Sequence, residues 1–301
     1  MRVVLAAALV GLFGSAAAEP LVLPFDFSRF AIELAVKVGA TPLTMILDTG
    51  VDPSVIDLKT AAALHMAVDH GGGDEASGEG DAQSAEAYPA MQEGLSLGGH
   101  TFAPFETLAT DMATLSAQYG KHLDGVIGYS FLADKIVLID YPKFELVLVG
   151  RPMEAWASVR SCRLRHSVPL NSFADDSIPL LPDFRFGNAS AAISLDTGSN
   201  GGISLYQAAL ALPGVKDALV EKGEIAFAGA RGKSSAKTYS LNARVGFGPF
   251  TLPSGQMVTL RKTPGSDTRA ANIGNKLFAA LKLKMLLDYK NRVMTFYGDC
   301  R

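Results

Sequence analysis

The chain contains two copies of one pattern, and self-similarity on that scale requires either two related units or one unit with internal symmetry. Met45-Ile46-Leu47-Asp48-Thr49-Gly50 returns as Ile193-Ser194-Leu195-Asp196-Thr197-Gly198, with the two aspartates 148 residues apart. The same offset pairs Ala61 with Ala209, Leu64 with Leu212, and Leu138-Ile139-Asp140-Tyr141 with Leu286-Leu287-Asp288-Tyr289. Between these, Gly125-Val126-Ile127-Gly128 meets Ala271-Asn272-Ile273-Gly274 at an offset of 146, a slip of one small loop. The halves share one layout, so the 301 residues divide into a leader at 1–18, an N-terminal lobe at 19–150, a connector at 151–166 and a C-terminal lobe at 167–301.

Each copy reads as β. In the first, partial alternation from Phe30 to Val38, a turn at Gly39 to Pro42 and an apolar run from Leu43 to Leu47 predict a hairpin. In the second, Phe184 to Phe186, Gly187-Asn188 and Ala191 to Leu195 repeat it. After each Asp-Thr-Gly a short strand (Val55-Ile56, Ile203-Ser204) leads into a helix, and strands near Phe144 to Val149 and Arg292 to Tyr297 close the copies. The expectation is an all-β, bilobal molecule whose lobes are related by a pseudo-twofold with a cleft between them. The connector, which carries Pro152 and the only Trp, Trp156, is expected as an exposed segment with some lobe packing.

The leader has the layout of a secretory signal peptide: Met1-Arg2, an apolar run from Val3 to Phe13, and Ala16-Ala17-Ala18 before Glu19. That run is too short to span a bilayer core, so no stable membrane insertion is expected once it is removed. The expected location is periplasmic or secreted, and the expected state is a monomer. Cys162 and Cys300 are the only cysteines, and an even count in an exported chain invites a disulfide, with two free thiols as the alternative. The formal net charge of −3 supplies no basic field to collect phosphate, which argues against nucleic acid as a partner.

The paired triplets carry the chemistry. A carboxylate at the end of a buried strand sits on a tight turn, where Gly lets the backbone bring an N–H to it. The Thr hydroxyl can bond the opposing loop in an interior where a bare polar group is costly. Two such loops across a pseudo-twofold would bring Asp48 and Asp196 together. Carboxyls at contact cannot both ionise, so they share a proton and titrate as a pair. One then acts as base toward a bound water and the other as acid toward a carbonyl oxygen.

With Leu47-Asp48-Thr49-Gly50, Leu195-Asp196-Thr197-Gly198-Ser199, Asp124-Gly125-Val126-Ile127-Gly128-Tyr129-Ser130-Phe131-Leu132 and Asn272-Ile273-Gly274-Asn275, the chain resembles the aspartic proteases of the pepsin/retropepsin superfamily, and more narrowly the bacterial exported retropepsin-like proteins in a two-lobed, single-chain form. The resemblance implies catalytic residues Asp48 and Asp196, and catalytic-loop support from Thr49, Gly50, Thr197, Gly198 and Ser199. It places Ile127-Gly128 and Ile273-Gly274 behind the loops. It implies an aspartic endopeptidase acting on a peptide or protein substrate with no metal and no organic cofactor. The family often has a hydroxyl residue after the first Gly, where this chain has Val51; Ser199 keeps it in the second lobe. A covering flap maps to Gly71 to Asp81 and Tyr88, and in the second lobe to Gly229 to Gly232 and Tyr239; a mobile lid and a disordered loop both fit. A non-catalytic peptide-binding or inhibitor-like protein on the same fold is the competing class.

Other candidates are weaker. His65 and His70 have no third metal ligand nearby in sequence. Asp52 and Asp57 read as solvated loop charges, and Ser130 lacks the Gly-x-Ser-x-Gly elbow.

Overall fold

The computed structural model describes residues 19–75, 86–172, 177–229, 232–263 and 269–301. The expected leader at 1–18, residues 76–81 of the first flap stretch and Ala230-Arg231 of the second lie outside them. The described chain is predominantly strand, in three sheets: a nine-stranded sheet in the N-terminal lobe, a ten-stranded sheet in the C-terminal lobe and a six-stranded sheet shared by both.

The shared sheet displays the internal symmetry most plainly. Its centre is the antiparallel pair Ile136–Asp140 and Lys284–Asp288, in which Leu138 lies opposite Leu286, its own counterpart in the repeat. Outward from that pair come Glu145–Val149 and Leu21–Pro24 on one side. Val293–Cys300 and Cys162–Pro169 lie on the other. The central strands are buried on every residue because both faces are covered. The buried Asp140 carboxylate pairs with Lys284 across the centre at 2.7 Å.

The expected connector is more structured than an exposed link. Pro152–Ala155 forms a 3₁₀ turn and Trp156–Val159 a helical turn. From Cys162 the chain is already the edge strand of the shared sheet, so residues 162–166 of the expected connector belong to that sheet. Ala155 and Val159 pack on Ile136, Leu138 and Leu286, while Trp156 remains exposed. Cys162 and Cys300 are opposite one another in that edge pair and are disulfide-bonded.

Each lobe begins with the expected hairpin, Ile32–Val38 with Thr41–Leu47 and Pro179–Phe186 with Ala189–Leu195. The turns use Gly39 and Gly187, both at positive φ. Strand Ser54–Asp57 leads into helix Leu58–Ala63, whereas Ile203–Leu205 leads into a 3₁₀ segment, Gln207–Ala211. The second helix expected from the repeat is shortened because Leu212 precedes Pro213 and is held extended, which stops an α-helix there. Asp57, expected as a solvated charge, is instead buried as the N-cap of the first helix. It accepts from the N–H groups of Lys59, Thr60 and Met112, while Asp52 is exposed. No described helix is long and apolar enough to cross a membrane.

Candidate active site

Both triplets stand at the ends of the buried strands Thr41–Leu47 and Ala189–Leu195. Each strand runs parallel to a short segment from later in its own lobe, Gly125–Ile127 in the first and Ala271–Ile273 in the second. The strand that follows each triplet pairs antiparallel with the other side of the same segment. The apolar-Gly elements singled out in the sequence therefore thread behind the loops, and the peptide N–H of each aspartate donates to their isoleucines: Asp48 to Ile127 at 2.9 Å and Asp196 to Ile273 at 3.0 Å.

The threonines lock the loops to each other. The Thr49 hydroxyl donates to the Leu195 carbonyl (3.0 Å) and accepts from the Thr197 N–H (3.2 Å). The Thr197 hydroxyl donates to the Leu47 carbonyl (2.9 Å) and accepts from the Thr49 N–H (3.0 Å). Both side chains are buried, and all four bonds cross between lobes. Asn275 adds a fifth tie: its amide donates to the Thr197 carbonyl, and its oxygen accepts from Tyr141, which follows the shared-sheet strand Ile136–Asp140.

This lock brings Asp48 and Asp196 within hydrogen-bonding reach of each other on half-buried loops. Space for the carboxyls depends on the glycines. A Cβ on Gly198 would collide with the Asp48 carboxyl, and one on Gly50 would stand 3.0 Å from the Asp196 Cγ. Burial first, and the adjacent Asp196 charge second, push the Asp48 carboxyl well above the usual carboxylate range. The opposing pull of the Gly50 and Gly198 N–H groups on its Oδ1 does not cancel this. Burial likewise raises the hydroxyls of Tyr141, with the Asp196 charge contributing less, and of Tyr289, with Tyr129 and then Asp48 contributing less.

The carboxyls are held differently. Asp48 takes both of its loop N–H bonds on one oxygen. Asp196 takes one on each: the Ser199 N–H on Oδ1 at 2.8 Å and the Asn272 side-chain amide on Oδ2 at 2.7 Å. Ser199 thus supports Asp196 through its backbone, while its hydroxyl accepts from the Gly201 N–H. Val51 contributes its carbonyl to the Tyr129 N–H and nothing to the carboxyl. Asn272 was legible as part of a motif, but its role was missed. The alignment of the halves sets it against the apolar Val126, and that mismatch is the one signal of it in the sequence.

Beside the Asp196 loop lies a cleft of about 770 Å³. Ser199 and Asn200 of the loop, Leu115 and Tyr119 of the N-lobe helix Ala113–Tyr119, and Ile225 and Phe227 of a long hairpin line it. That hairpin, Leu219–Gly229 with Gly232–Leu241, belongs to the C-terminal lobe and reaches the N-lobe helix. Tyr239 lies on its second strand. In the N-terminal lobe the matching stretch is also a hairpin, Asp74–Glu75 with Glu86–Gln92, and Tyr88 donates to Glu86 there. His65 and His70 are exposed, and among the described residues no three potential ligands cluster to hold a metal.

The aspartyl protease family model, of retropepsin-like type, matches residues 34–131. That span contains the first triplet, the segment threaded behind it and most of the N-terminal lobe. No curated protein matches the chain. The C-terminal lobe repeats the matched arrangement strand for strand, down to the threonine lock. The match over residues 34–131 supports kinship with the pepsin/retropepsin-like superfamily of aspartyl proteases.

Proposed function

We propose that the protein is an aspartic endopeptidase in which Asp48 and Asp196 activate one water between them. The observation that carries this reading is the pair of carboxyls held within hydrogen-bonding reach by a reciprocal lock from both lobes. Two buried carboxyls at contact retain one proton, so the pair offers a base and an acid at once. A peptide lying in the cleft presents its carbonyl carbon to the water and its carbonyl oxygen to the protonated carboxyl. The leader sequence and the Cys162–Cys300 bridge support action outside the cytoplasm, in the periplasm or after secretion. Hydrolysis of a denatured protein across the acid range, with and without a peptidic transition-state analogue, tests the reading. Cleavage that the analogue suppresses is the expected result. A folded protein that binds the analogue without cleaving any substrate would transfer the case to a peptide-binding protein on the same fold.

A further inference from the structure

The two lobes differ at one strand pair behind the aspartates. In the N-terminal lobe Ile46 pairs with Val126, and both pack against Leu123 in a small apolar cluster. In the C-terminal lobe the same register position holds Ser194 opposite Asn272, and Arg269 stands where the repeat has Leu123. These three polar residues form a chain. Arg269 Nε donates to Ser194 Oγ at 3.2 Å, Ser194 Oγ donates to Asn272 Oδ1 at 2.8 Å, and Asn272 Nδ2 donates to Asp196 Oδ2 at 2.7 Å. Arg269 is itself placed by the buried Tyr206: its Nη2 donates to the phenolic oxygen at 3.2 Å and its guanidinium lies over the ring.

The direction of this chain follows from its first member. An arginine can only donate, so Ser194 accepts from it and has its own proton to give away. The nearer acceptor is Asn272 Oδ1; the Ala271 carbonyl is 3.4 Å distant. The amide oxygen is thereby committed, and the amide N–H₂ must face Asp196. Reversed, the amide would set its oxygen against the Asp196 carboxyl, which is tolerable only with the proton on Asp196. We propose that Asn272 is a positioning residue that holds Asp196 as the ionised member of the pair and so leaves the shared proton on Asp48. The inference rests on the reading of the two aspartates as a cleavage dyad.

Asp48 fits the complementary role. Its two loop N–H bonds converge on Oδ1, which leaves Oδ2 for the proton. The upward push on its carboxyl agrees with that placement. Among the described residues, Tyr141 feels the Asp196 charge and Tyr289 those of Tyr129 and Asp48. Both hydroxyls stay neutral in the working range, so neither supplies a competing charge. In turnover, the water oxygen bonds to the peptide carbon while a water proton passes to Asp196. The Asp48 proton passes to the carbonyl oxygen. On collapse the C–N bond breaks, the leaving nitrogen takes the proton from Asp196, and one hydroxyl of the tetrahedral intermediate returns its proton to Asp48.

The test is the titration of aspartate carboxyl carbons by ¹³C NMR on the mature protein, which requires no turnover and so stands apart from the protease reading. In an Asp48→Asn background, adding Asn272→Val, the residue used by the other lobe, should raise the Asp196 midpoint by about one pH unit, the scale of losing a hydrogen bond to the charged form. Arg269→Gln, which touches neither carboxyl, should move it the same way by less. It also serves as the second variant should Asn272→Val fail to fold. With otherwise wild-type protein that cleaves, Asn272→Val should shift the acid limb of kcat/KM upward, whereas a merely structural loss would lower the whole profile without moving the limb. An unchanged Asp196 midpoint in both variants, or a wild-type proton resident on Asp196, overturns the proposal. Shifted midpoints in a protein that cleaves nothing would leave the proton placement standing and remove the protease reading alone.

Discussion

The two lobes share a scaffold and differ in the electrostatics behind their aspartates. Ile46, Val126 and Leu123 fill the N-terminal position with hydrocarbon, while Ser194, Asn272 and Arg269 run a polar chain through the C-terminal one. Elsewhere the correspondence holds from the paired hairpins to the threonines that bond each other's strands. Symmetry therefore explains how the carboxyls meet, and the departure from symmetry explains how two like groups take unlike roles. A matched pair would share its proton evenly, whereas donors on both oxygens of Asp196, against two on a single oxygen of Asp48, make Asp196 the carboxylate.

The largest effect expected from breaking this comparison is on turnover. Asp48→Asn and Asp196→Asn should each lower kcat by at least about 10³-fold, and the double variant should be hardly worse than either, because residues that act as a unit are not additive. Kinetics of the three variants on one substrate check this; losses that multiply in the double variant would mean that the aspartates work separately.

A second difference between the lobes is covalent. The C-terminal edge pair of the shared sheet is bridged by Cys162–Cys300, whereas the matching edge pair, Leu21–Pro24 with Glu145–Val149, contains no cysteine. Opening the bridge should cost roughly 4–5 kcal/mol on a chain-entropy argument for a loop of this length. Denaturant unfolding of the oxidised and reduced protein measures it, and titration of denatured, unreduced material should find no free thiol.

Importing the polar residue into the other lobe sharpens the contrast. Val126→Asn would place an amide between Ile46 and Leu123, which offer no side-chain partner, at a cost of about 1–3 kcal/mol for an unsatisfied buried group. Equilibrium unfolding should show that loss. A neutral result would mean that the apolar cluster tolerates an amide, and that the polar chain of the C-terminal lobe depends less on its surroundings.

The smallest effect is on the pH dependence of stability. With its carboxyl pushed upward, folded Asp48 keeps a proton that the unfolded chain has released above about pH 4. Where the native state binds more protons than the unfolded state, stability falls as pH rises. The stabilisation is fully present below the ordinary aspartate range and is lost as pH climbs through the raised value. Asp48→Asn should flatten that slope and unfold at a higher temperature than wild type near neutrality, as calorimetry at several pH values would record.

Much of this was legible in the sequence. The offset of 148 between the triplets fixed the two-lobed plan, and the Gly128 and Gly274 elements fell behind the loops as expected. What stayed hidden depends on partners remote in the chain. Asp57 reads as a loop charge until Met112, 55 residues later, donates to it. The end of the connector, 162–166, reads as a link until Val293–Cys300 pairs with it. The second helix fails because a proline follows it, a local signal that the repeat masked. Asn272 reads as one letter of a motif, since the Ser194 and Asp196 side chains that its amide bonds lie 78 and 76 residues away.

The most direct test of the central claim is cleavage of varied peptide pools from acidic to neutral pH by the wild type beside Asp196→Asn, with both shown to be folded. The account predicts a bell-shaped profile for the wild type, falling where the pair loses its one proton and again where it gains a second, and background cleavage by the variant at every pH. Identical background-level cleavage by both proteins would contradict it.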